Sequence, residues 1–314
     1  MAGPRRPTPE TANTTNVFLL IKENPDGRSI TRPTPFIPTI PASSPTSKDL
    51  PLNPTNHTHL RLHRPHHPPP PQTKLPIIIY FHGGGFLIFG SSTAFYHAPC
   101  ERMASAIPAI VVSVDHRLSP ESRLPAAYDD AVEAIDWVFS GADPWVAEHG
   151  DLGRCFLMGC SSGGNIAYHA ARRAAAERGL KGVVFNQPFF GGVERTESEE
   201  RMCDDAILPL KVIDMAWRLA LPEGANRDHR FANPMIAKGE GEEGEVVLPA
   251  CMVRGHAGDP LIDKQKEFAR WLGKGRAARV VERFYEDGHH AVEIFDEGMA
   301  LRLVEDVKDF VLGC

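Results

Sequence analysis

From Leu75 onward the sequence repeats one pattern: an apolar run, a turn rich in small residues and a helical segment. The apolar runs, which we predict to be strands, are Leu75–Phe81, Ala109–Val114, Cys155–Met158, Gly182–Phe185, Ala250–Arg254 and Arg279–Tyr285. The segments with helical periodicity are Ala126–Phe139, Gly164–Arg178, Lys264–Leu272 and Met299–Leu312. Strands that are apolar on both faces and alternate with helices predict a mostly parallel sheet with helices on both faces.

Two segments depart from this alternation. Of the 28 prolines, 17 lie in residues 1–76, which excludes regular helix there and favours extended chain, with Val17–Ile21 predicted to be a short strand. Residues 190–235 continue with a polar, acidic stretch and then a helix that contains Trp217. We predict that this second segment is an insertion lying over one end of the sheet.

Composition limits the class of protein and its partners. A chain of 314 residues with 42% hydrophobic and 24% charged residues is an ordinary globular protein. The net charge of −6 provides no basic field for a phosphate backbone, so we expect no nucleic-acid partner. The six cysteines form no CxxC pair, and the early apolar run is too short for a signal peptide or a membrane span. We therefore expect a cytoplasmic protein with reduced thiols and no membrane association.

The segment Gly159-Cys160-Ser161-Ser162-Gly163-Gly164 stands directly between a predicted strand and a predicted helix. A serine hydroxyl is a poor nucleophile unless it is exposed and given a base. A sharp strand-to-helix turn between small residues exposes it, and the helix N-terminus favours negative charge there. The pattern predicts Ser161 as a nucleophile. The plainer alternative is a glycine-rich turn that caps the helix.

A second glycine-rich turn, His82-Gly83-Gly84-Gly85-Phe86, ends the strand Leu75–Phe81. Consecutive glycines leave backbone N–H groups free to converge on a developing oxyanion. We assign the amides of Gly83 and Gly84, together with that of Ser162, to an oxyanion hole. Gly85 either shares this role or only permits the bend, and His82 is interpreted as a structural residue.

A nucleophilic serine needs a base, and the base needs an orienting carboxylate. The strand Ala250–Arg254 is followed by Asp259 and Asp263, of which Asp263 directly precedes a helix and is expected to cap it. This leaves Asp259 as the better orienting residue. The last strand is followed by His289 and His290, and both are candidates for the base. The chain order serine, acid, histidine is that of serine hydrolases with this architecture.

With these residues in place, the chain resembles the plant carboxylesterase family, in the hormone-sensitive-lipase-like branch of the α/β-hydrolases. The similarity extends over nearly the whole chain from about Asn24, and its motifs are Asn24-Pro25-Asp26-Gly27, the glycine-rich loop, Asp115-His116-Arg117-Leu118-Ser119-Pro120-Glu121, Asn186-Gln187-Pro188-Phe189-Phe190-Gly191-Gly192, Asp259-Pro260-Leu261 and Gly288-His289-His290. The family pattern places the catalytic histidine two residues after the glycine, which selects His290. Cys160 departs from the family's usual Asp or Ser.

The resemblance implies one α/β-hydrolase domain over residues 16–314, with a cap from about 16–50 and 190–235. Residues 1–15 match nothing in the family, and we expect them to be a mobile extension. The implied function is hydrolysis of small carboxylic esters through an acyl-enzyme, with Ser161, Asp259 and His290 as the triad and no metal or cofactor. Phe86, Phe189, Phe190 and Trp217 are candidates for an apolar substrate pocket, although packing of the cap against the sheet is at least as good an explanation for Phe189 and Phe190.

Two alternatives stay open at this stage. A non-hydrolytic enzyme on the same frame, such as a dehydratase or cyclase of plant specialised metabolism, reuses the oxyanion hole and a base. A receptor-like binding protein is the second alternative, but the gibberellin receptor that resembles this family lacks the catalytic histidine, which is present here.

Overall fold

The computed structural model describes residues 16–33, 37–43, 45–67, 70, 72–236 and 246–314. The strands in these ranges are β1 (Lys22–Glu23), β2 (Ile30–Thr31), β3 (Ser47–Asn53), β4 (Thr58–His63), β5 (Leu75–Phe81), β6 (Ile110–Asp115), β7 (Gly150–Cys160), β8 (Gly182–Asn186), β9 (Leu248–Gly258) and β10 (Ala277–His289). The helices are α1 (Ala94–Ala106), α2 (Ala126–Ser140), α3 (Ser162–Arg178), α4 (Glu197–Arg201), α5 (Leu210–Ala220), α6 (Ile262–Leu272) and α7 (Glu297–Leu312). The predicted N-terminal extension, residues 1–15, lies outside the described residues.

Eight of these strands form one sheet in the order β10-β9-β8-β7-β5-β6-β4-β3. The pairings from β10 to β6 are all parallel, whereas β4 pairs antiparallel with both β6 and β3. The central position of β5 is visible in its register, because Ile79 lies between Val112 of β6 and Leu157 of β7. This confirms the predicted mostly parallel sheet.

Helices cover both faces of the sheet, because the central strands are apolar on both sides. All seven residues of β5 are buried. Ile77 and Ile79 face the core formed with α2, α3 and α6, whereas Ile78 and Tyr80 face the core formed with α1 and α7. Successive side chains of a strand point to opposite faces, so a continuous apolar run requires a helical layer on each side.

The predicted strand at Val17–Ile21 is wrong: Val17–Leu20 is a single turn of 3₁₀ helix. Asn16 caps this turn, since its side-chain oxygen accepts a hydrogen bond from the amide of Phe18 at 3.0 Å. A short apolar run needs a neighbouring strand to remain extended, and here none pairs with it among the described residues. A local cap therefore decides the conformation.

Strand β3 and helix α1 were not predicted from the pattern, and both contain proline. Pro51 is tolerated in β3 because this strand is the edge of the sheet, where a missing amide breaks no ladder. Pro99 lies inside α1, whose Tyr96, Cys100 and Met103 pack on the sheet. Since Ser47–Asn53 belongs to the main sheet, the last residues of the N-terminal stretch predicted to form part of the cap, about 16–50, overlap with β3.

The strand order brings the carboxyl ends of four neighbouring strands together. From one side to the other these are β7, β8, β9 and β10. Ser161 directly follows β7, Asp259 directly follows β9, and His290 directly follows β10. Ligands of open parallel sheets bind outside the carboxyl ends of the strands, which directs attention to this edge.

Candidate active site

Ser161 lies at the apex of a sharp turn between β7 and α3. Its backbone has φ +54° and ψ −120°, a strained conformation for a residue with a side chain. The turn is held in place because the amide of Ser161 donates a hydrogen bond to the carbonyl of Asn186 at 3.0 Å. The small residues around it are necessary: a Cβ atom at Gly163 would lie 2.6 Å from the carbonyl oxygen of His82.

His290 connects Ser161 to Asp259. Its Nε2 atom lies 3.0 Å from the hydroxyl oxygen of Ser161, and its Nδ1 atom lies 2.9 Å from Oδ2 of Asp259. All three side chains are buried, with Ser161 the most accessible at 8%. In the tautomer that fits this arrangement, the serine hydroxyl donates to Nε2 and Nδ1–H donates to the carboxylate.

The neighbouring candidates lie elsewhere. His289 is turned so that its Nδ1 atom contacts the carbonyl of His290 at 2.9 Å. Asp263 does not cap α6 as expected, since the helix begins at Ile262. Instead, Asp263 accepts a hydrogen bond at 2.8 Å from the amide of Ser198 in α4.

Asp259 is itself held from two further directions. Its Oδ1 atom accepts from the amide of Leu261 at 2.9 Å, and its Oδ2 atom accepts from the side-chain amide of Gln265 at 2.8 Å. A fully buried carboxylate requires such donors to remain charged. The carboxylate therefore has a fixed orientation toward His290.

Two opposing effects determine the proton affinity of His290. Burial lowers the pKa of His290, but attraction to Asp259, with smaller contributions from Asp205 and Glu293, raises this pKa above its usual value. The imidazolium form is therefore stabilised inside the protein, which favours a base that must carry a proton in mid-reaction.

The glycine-rich loop after β5 lies against this triad of side chains. Gly84 and Gly85 have positive φ values of +110° and +60° and line the cavity in front of Ser161. Gly83 is turned toward Tyr96, whose hydroxyl would lie 2.8 Å from a Cβ atom at Gly83. Among the described residues, nothing accepts a hydrogen bond from the amides of Gly84 or Ser162.

His82 has the surroundings of a structural residue. Its ring stacks on that of His116 with centroids 4.1 Å apart. Its Nδ1 atom lies 2.7 Å from the carbonyl of Gly83, to which the N–H form donates. Burial also lowers the pKa of His82 well below its usual value, so the ring is neutral.

Comparison with known proteins shows which family this fold and site belong to. Residues 78–294 match the family described as alpha/beta hydrolase fold. A probable carboxylesterase 8 of Arabidopsis thaliana is 43% identical, and the alignment covers 95% of this chain and 93% of that protein. The chain belongs to the plant carboxylesterase family.

One further sequence relative and one solved structure are also similar to this chain. A 3-O-acetylpapaveroxine carboxylesterase of Papaver somniferum is also 43% identical, over 94% of this chain and 97% of that protein. Among solved structures, an esterase of Pyrobaculum calidifontis is similar with a TM-score of 0.73 and 26% identity. That likeness covers 86% of this chain and 85% of the other.

In this carboxylesterase-family chain a cavity of about 560 Å³ opens in front of Ser161. Its wall is mostly apolar, and none of the described lining residues is Asp, Glu, Lys or Arg. The large apolar side chains in the wall include Phe18, Phe89, Phe95, Phe189, Ile207 and Phe295. Such a cavity suits an uncharged, apolar ligand.

Two of the sequence-based substrate candidates, Phe86 and Trp217, lie behind this wall. Phe86 and Trp217 are fully buried and are not among the residues that line the cavity. Trp217 stacks on Phe189 with ring centroids 4.4 Å apart, and Phe86 lies 5.6 Å from Trp217. Both side chains therefore support Phe189, which does reach the cavity.

Most of the cavity wall could not be found from the sequence. Phe89, Phe95 and Phe295 lie in or beside loops whose paths depend on the folded sheet, and they carry no motif. Cys160 also lines the cavity, and burial raises the pKa of its thiol to about 12, so this thiol is protonated at neutral pH. Across the described residues, no cluster of three or more His, Cys, Asp or Glu could hold a metal ion.

Proposed function

We propose that this protein is a serine carboxylesterase in which Ser161 is the nucleophile, His290 the general base and Asp259 the orienting acid. The observation that carries the proposal is the chain of hydrogen bonds from Ser161 through His290 to Asp259, at 3.0 and 2.9 Å, at the floor of an apolar cavity. The family's carboxylesterases support the same activity.

In the proposed mechanism, His290 removes the hydroxyl proton as Ser161 attacks the ester carbonyl. Asp259 keeps the imidazole in the required tautomer and stabilises the imidazolium. His290 then protonates the leaving alcohol, which leaves an acyl group on Ser161. A water molecule, activated by the same histidine, releases the acid.

The oxyanion of the tetrahedral intermediate requires N–H donors that are not already used. We propose that the amides of Gly84 and Ser162 donate to it, since neither has an acceptor among the described residues. Gly83 and Gly85 are the candidates for a third donor. The lining position of Gly85 and the proximity of Gly83 to Tyr96 favour Gly85.

The described residues of 16–50 that precede β3, together with residues 190–235, form the proposed cap over the cavity. The side-chain amide of Asn16 donates to the carbonyls of Ala206 at 2.9 Å and Ile207 at 3.0 Å, which ties the first segment to the second. A paired Glu23 and Arg218, 2.6 Å apart, adds a second connection. This cap supplies Phe18 and Ile207 to the cavity wall.

The cavity chemistry indicates the substrate class. We propose an uncharged ester with an apolar acyl or alcohol group, because the described wall offers no cation for a carboxylate. A small ester of plant specialised metabolism is the proposed natural substrate, by likeness to the Papaver somniferum relative. The proposed location is the cytoplasm, since all six cysteines are unpaired, as in a reducing compartment.

The test is hydrolysis of p-nitrophenyl butyrate by the purified protein and its variants. Ser161→Ala and His290→Ala are each expected to lower kcat by about 10⁴-fold, as in other serine hydrolases. Ser140→Ala, at an exposed position at the end of α2, is the matched control and should be unchanged.

A phosphonate ester provides an independent measurement. Mass spectrometry should find the adduct on Ser161 alone in the wild-type protein and no adduct in Ser161→Ala. A loss of less than tenfold in Ser161→Ala, or no hydrolysis by a folded wild-type protein, would contradict the proposal. In the second case, product analysis with plant metabolites would test the dehydratase or cyclase alternative.

A further inference from the structure

His290 follows a strand that lies far from the strand that carries Ser161. Strand β10, which precedes it, is the third strand away from β7, which carries Ser161. At a spacing of about 4.8 Å between strands, the histidine must reach back by about 14 Å across the ends of β9 and β8. Something must hold the histidine loop in this returned position.

Gln187 is the residue that holds the loop. It directly follows β8 and is fully buried. Its side-chain NH₂ donates to the carbonyl of His289 at 2.8 Å, and its side-chain oxygen accepts from the amide of Ala291 at 2.8 Å. One amide side chain thus forms hydrogen bonds with the peptide groups on both sides of His290.

The backbone around this contact is strained and fixed. Gln187 has φ +48° and Ala291 has φ +57°, conformations that are unfavourable for residues with a side chain and persist only where the surroundings enforce them. The amide of Gln187 donates to the carbonyl of Arg254 in β9 at 2.9 Å. The preceding residue, Asn186, accepts from the amide of Ser161. The end of β8 is therefore connected to the nucleophile, to β9 and to the histidine loop.

We propose that Gln187 is a positioning residue for catalysis, which sets the place of His290 between Ser161 and Asp259 by holding the peptide groups at 289 and 291. This inference rests on the proposed esterase function. Gln187 does not line the cavity and does not touch the substrate space. We therefore expect Gln187 to affect the rate of the chemical step and not the binding of substrate.

The electrostatic setting of His290 provides a second readout. The charged groups that act on it are Asp259 in the loop after β9, Asp205 in the loop before α5, and Glu293 in the turn that follows the histidine itself. Of these, Asp259 is in direct contact. If the loop shifts, the contact with Asp259 weakens while the burial remains. The pKa of His290 should then fall.

The experiment compares wild type, Gln187→Met and Asn165→Leu in hydrolysis of p-nitrophenyl butyrate. Met keeps the length of Gln without either hydrogen bond. Asn165 is the matched control because it is equally buried, and its amide donates to the carbonyls of Phe189 and Phe231, away from His290. Thermal unfolding gives the Tm of each variant, and a phosphonate titration gives the concentration of active sites.

For Gln187→Met we expect kcat per active site to fall by about 10²-fold with KM nearly unchanged, the size of loss that a 1 Å misplacement causes. The acidic limb of kcat/KM should move to lower pH. Asn165→Leu should lower Tm to a similar extent while its kcat and pH profile remain those of wild type. A purely structural role would scale the activity of both variants without moving the limb.

A second variant distinguishes a loss of positioning from a failure of Gln187→Met to fold. Gln187→Asn suits a positive φ better than Gln, yet its side chain is one methylene shorter and cannot span both partners. It should fold and still lose kcat. Wild-type kcat in either Gln187 variant, or equal losses in Gln187→Met and Asn165→Leu, would overturn this inference alone. An inactive wild-type protein would overturn the proposed function and the inference with it.

Discussion

At the scale of single residues, Asp205 belongs to the proposed cap and acts electrostatically on the proposed base. Its carboxylate is half-buried and accepts hydrogen bonds from the amides of Ile207 at 2.9 Å and Leu208 at 2.7 Å. It also helps to raise the pKa of His290. Asp205 therefore holds the cap loop and tunes the histidine, and these two roles can be separated because Asn retains an acceptor oxygen.

We predict that Asp205→Asn moves the acidic limb of the pH–rate profile to lower pH. His290 acts as a base only when neutral, so activity falls as the pH drops through its pKa. Removing a nearby negative charge destabilises the imidazolium and lowers this pKa. At high pH, where His290 is neutral in both proteins, the activity should fall only slightly, because the imidazolium that forms during the reaction loses one nearby charge but keeps its direct contact with Asp259.

The measurement is kcat/KM for p-nitrophenyl butyrate across the pH range. Asp204→Asn is the control, because Asp204 is an exposed carboxylate next to Asp205. An unmoved limb in Asp205→Asn, or equal shifts in both variants, would argue against a specific action of Asp205 on the histidine.

At the scale of elements, the turn from β7 to α3 depends on a close approach between its own backbone and the backbone at the end of β5. Gly163 packs directly against the carbonyl groups of Phe81 and His82 at the end of β5. This contact brings the nucleophile turn and the glycine-rich loop together, so that the amides of Gly84 and Ser162 can face one site. A Cβ atom at this position would have to displace one of the two elements.

We predict that Gly163→Ala lowers the free energy of unfolding by about 1–3 kcal/mol, the range for overpacking a well-packed interior. Gly273→Ala is the control, because a Cβ atom at Gly273 would find its nearest atom 3.5 Å away, at an ordinary distance. Equilibrium unfolding in urea would compare them. Equal stability of the two variants would show that the turn is free to relax.

A comparison of the predicted and observed helices and strands shows where sequence patterns succeed and where they fail. The long apolar strands and the helices α2, α3, α6 and α7 were predicted, since burial on both faces leaves a continuous signal. The conformation of Val17–Leu20 was not, because it depends on the side chain of Asn16, which caps the turn and donates hydrogen bonds to the carbonyls of Ala206 and Ile207. Short elements that depend on distant partners leave no local pattern.

At the scale of the whole molecule, Arg254 joins the sheet to the C-terminal helix and the histidine loop. It is fully buried in β9 and contacts Glu293 at 2.5 Å, Asp306 of α7 at 2.6 Å and the side chain of Asn186 at 2.8 Å. A buried cation is tolerated only when it is paired and hydrogen-bonded in this way. The cluster ties the end of the sheet that carries the proposed acid and base to the last helix.

We predict that Arg254→Met lowers the free energy of unfolding by about 3–5 kcal/mol, because it removes the buried cation that the buried Glu293 and the partly buried Asp306 share. The control is Arg178→Met, which breaks an exposed pair with Asp136 at 2.6 Å and should cost less than about 1 kcal/mol. Urea unfolding would measure both. Similar losses in the two variants would contradict a special role for the buried cluster.

Sequence patterns were enough to predict the sheet architecture, the family and a short set of candidate site residues. They could do so because apolar periodicity and glycine-rich turns reflect local requirements of the chain: burial on both faces of a strand, and a backbone free of side chains near Ser161. Even the choice between His289 and His290 needed the family pattern. No local signal separates two adjacent histidines.

The side chains that form the cavity and the contacts of Gln187 became visible only in the tertiary structure. These features join residues far apart in the chain, such as Gln187 with His289 and Ala291, and Asn16 with Ala206 and Ile207. Their positions follow from the order of strands in the sheet and the path of each loop across its edge. The physical reason is that such contacts depend on distances in the folded chain, which spacing along the sequence does not encode.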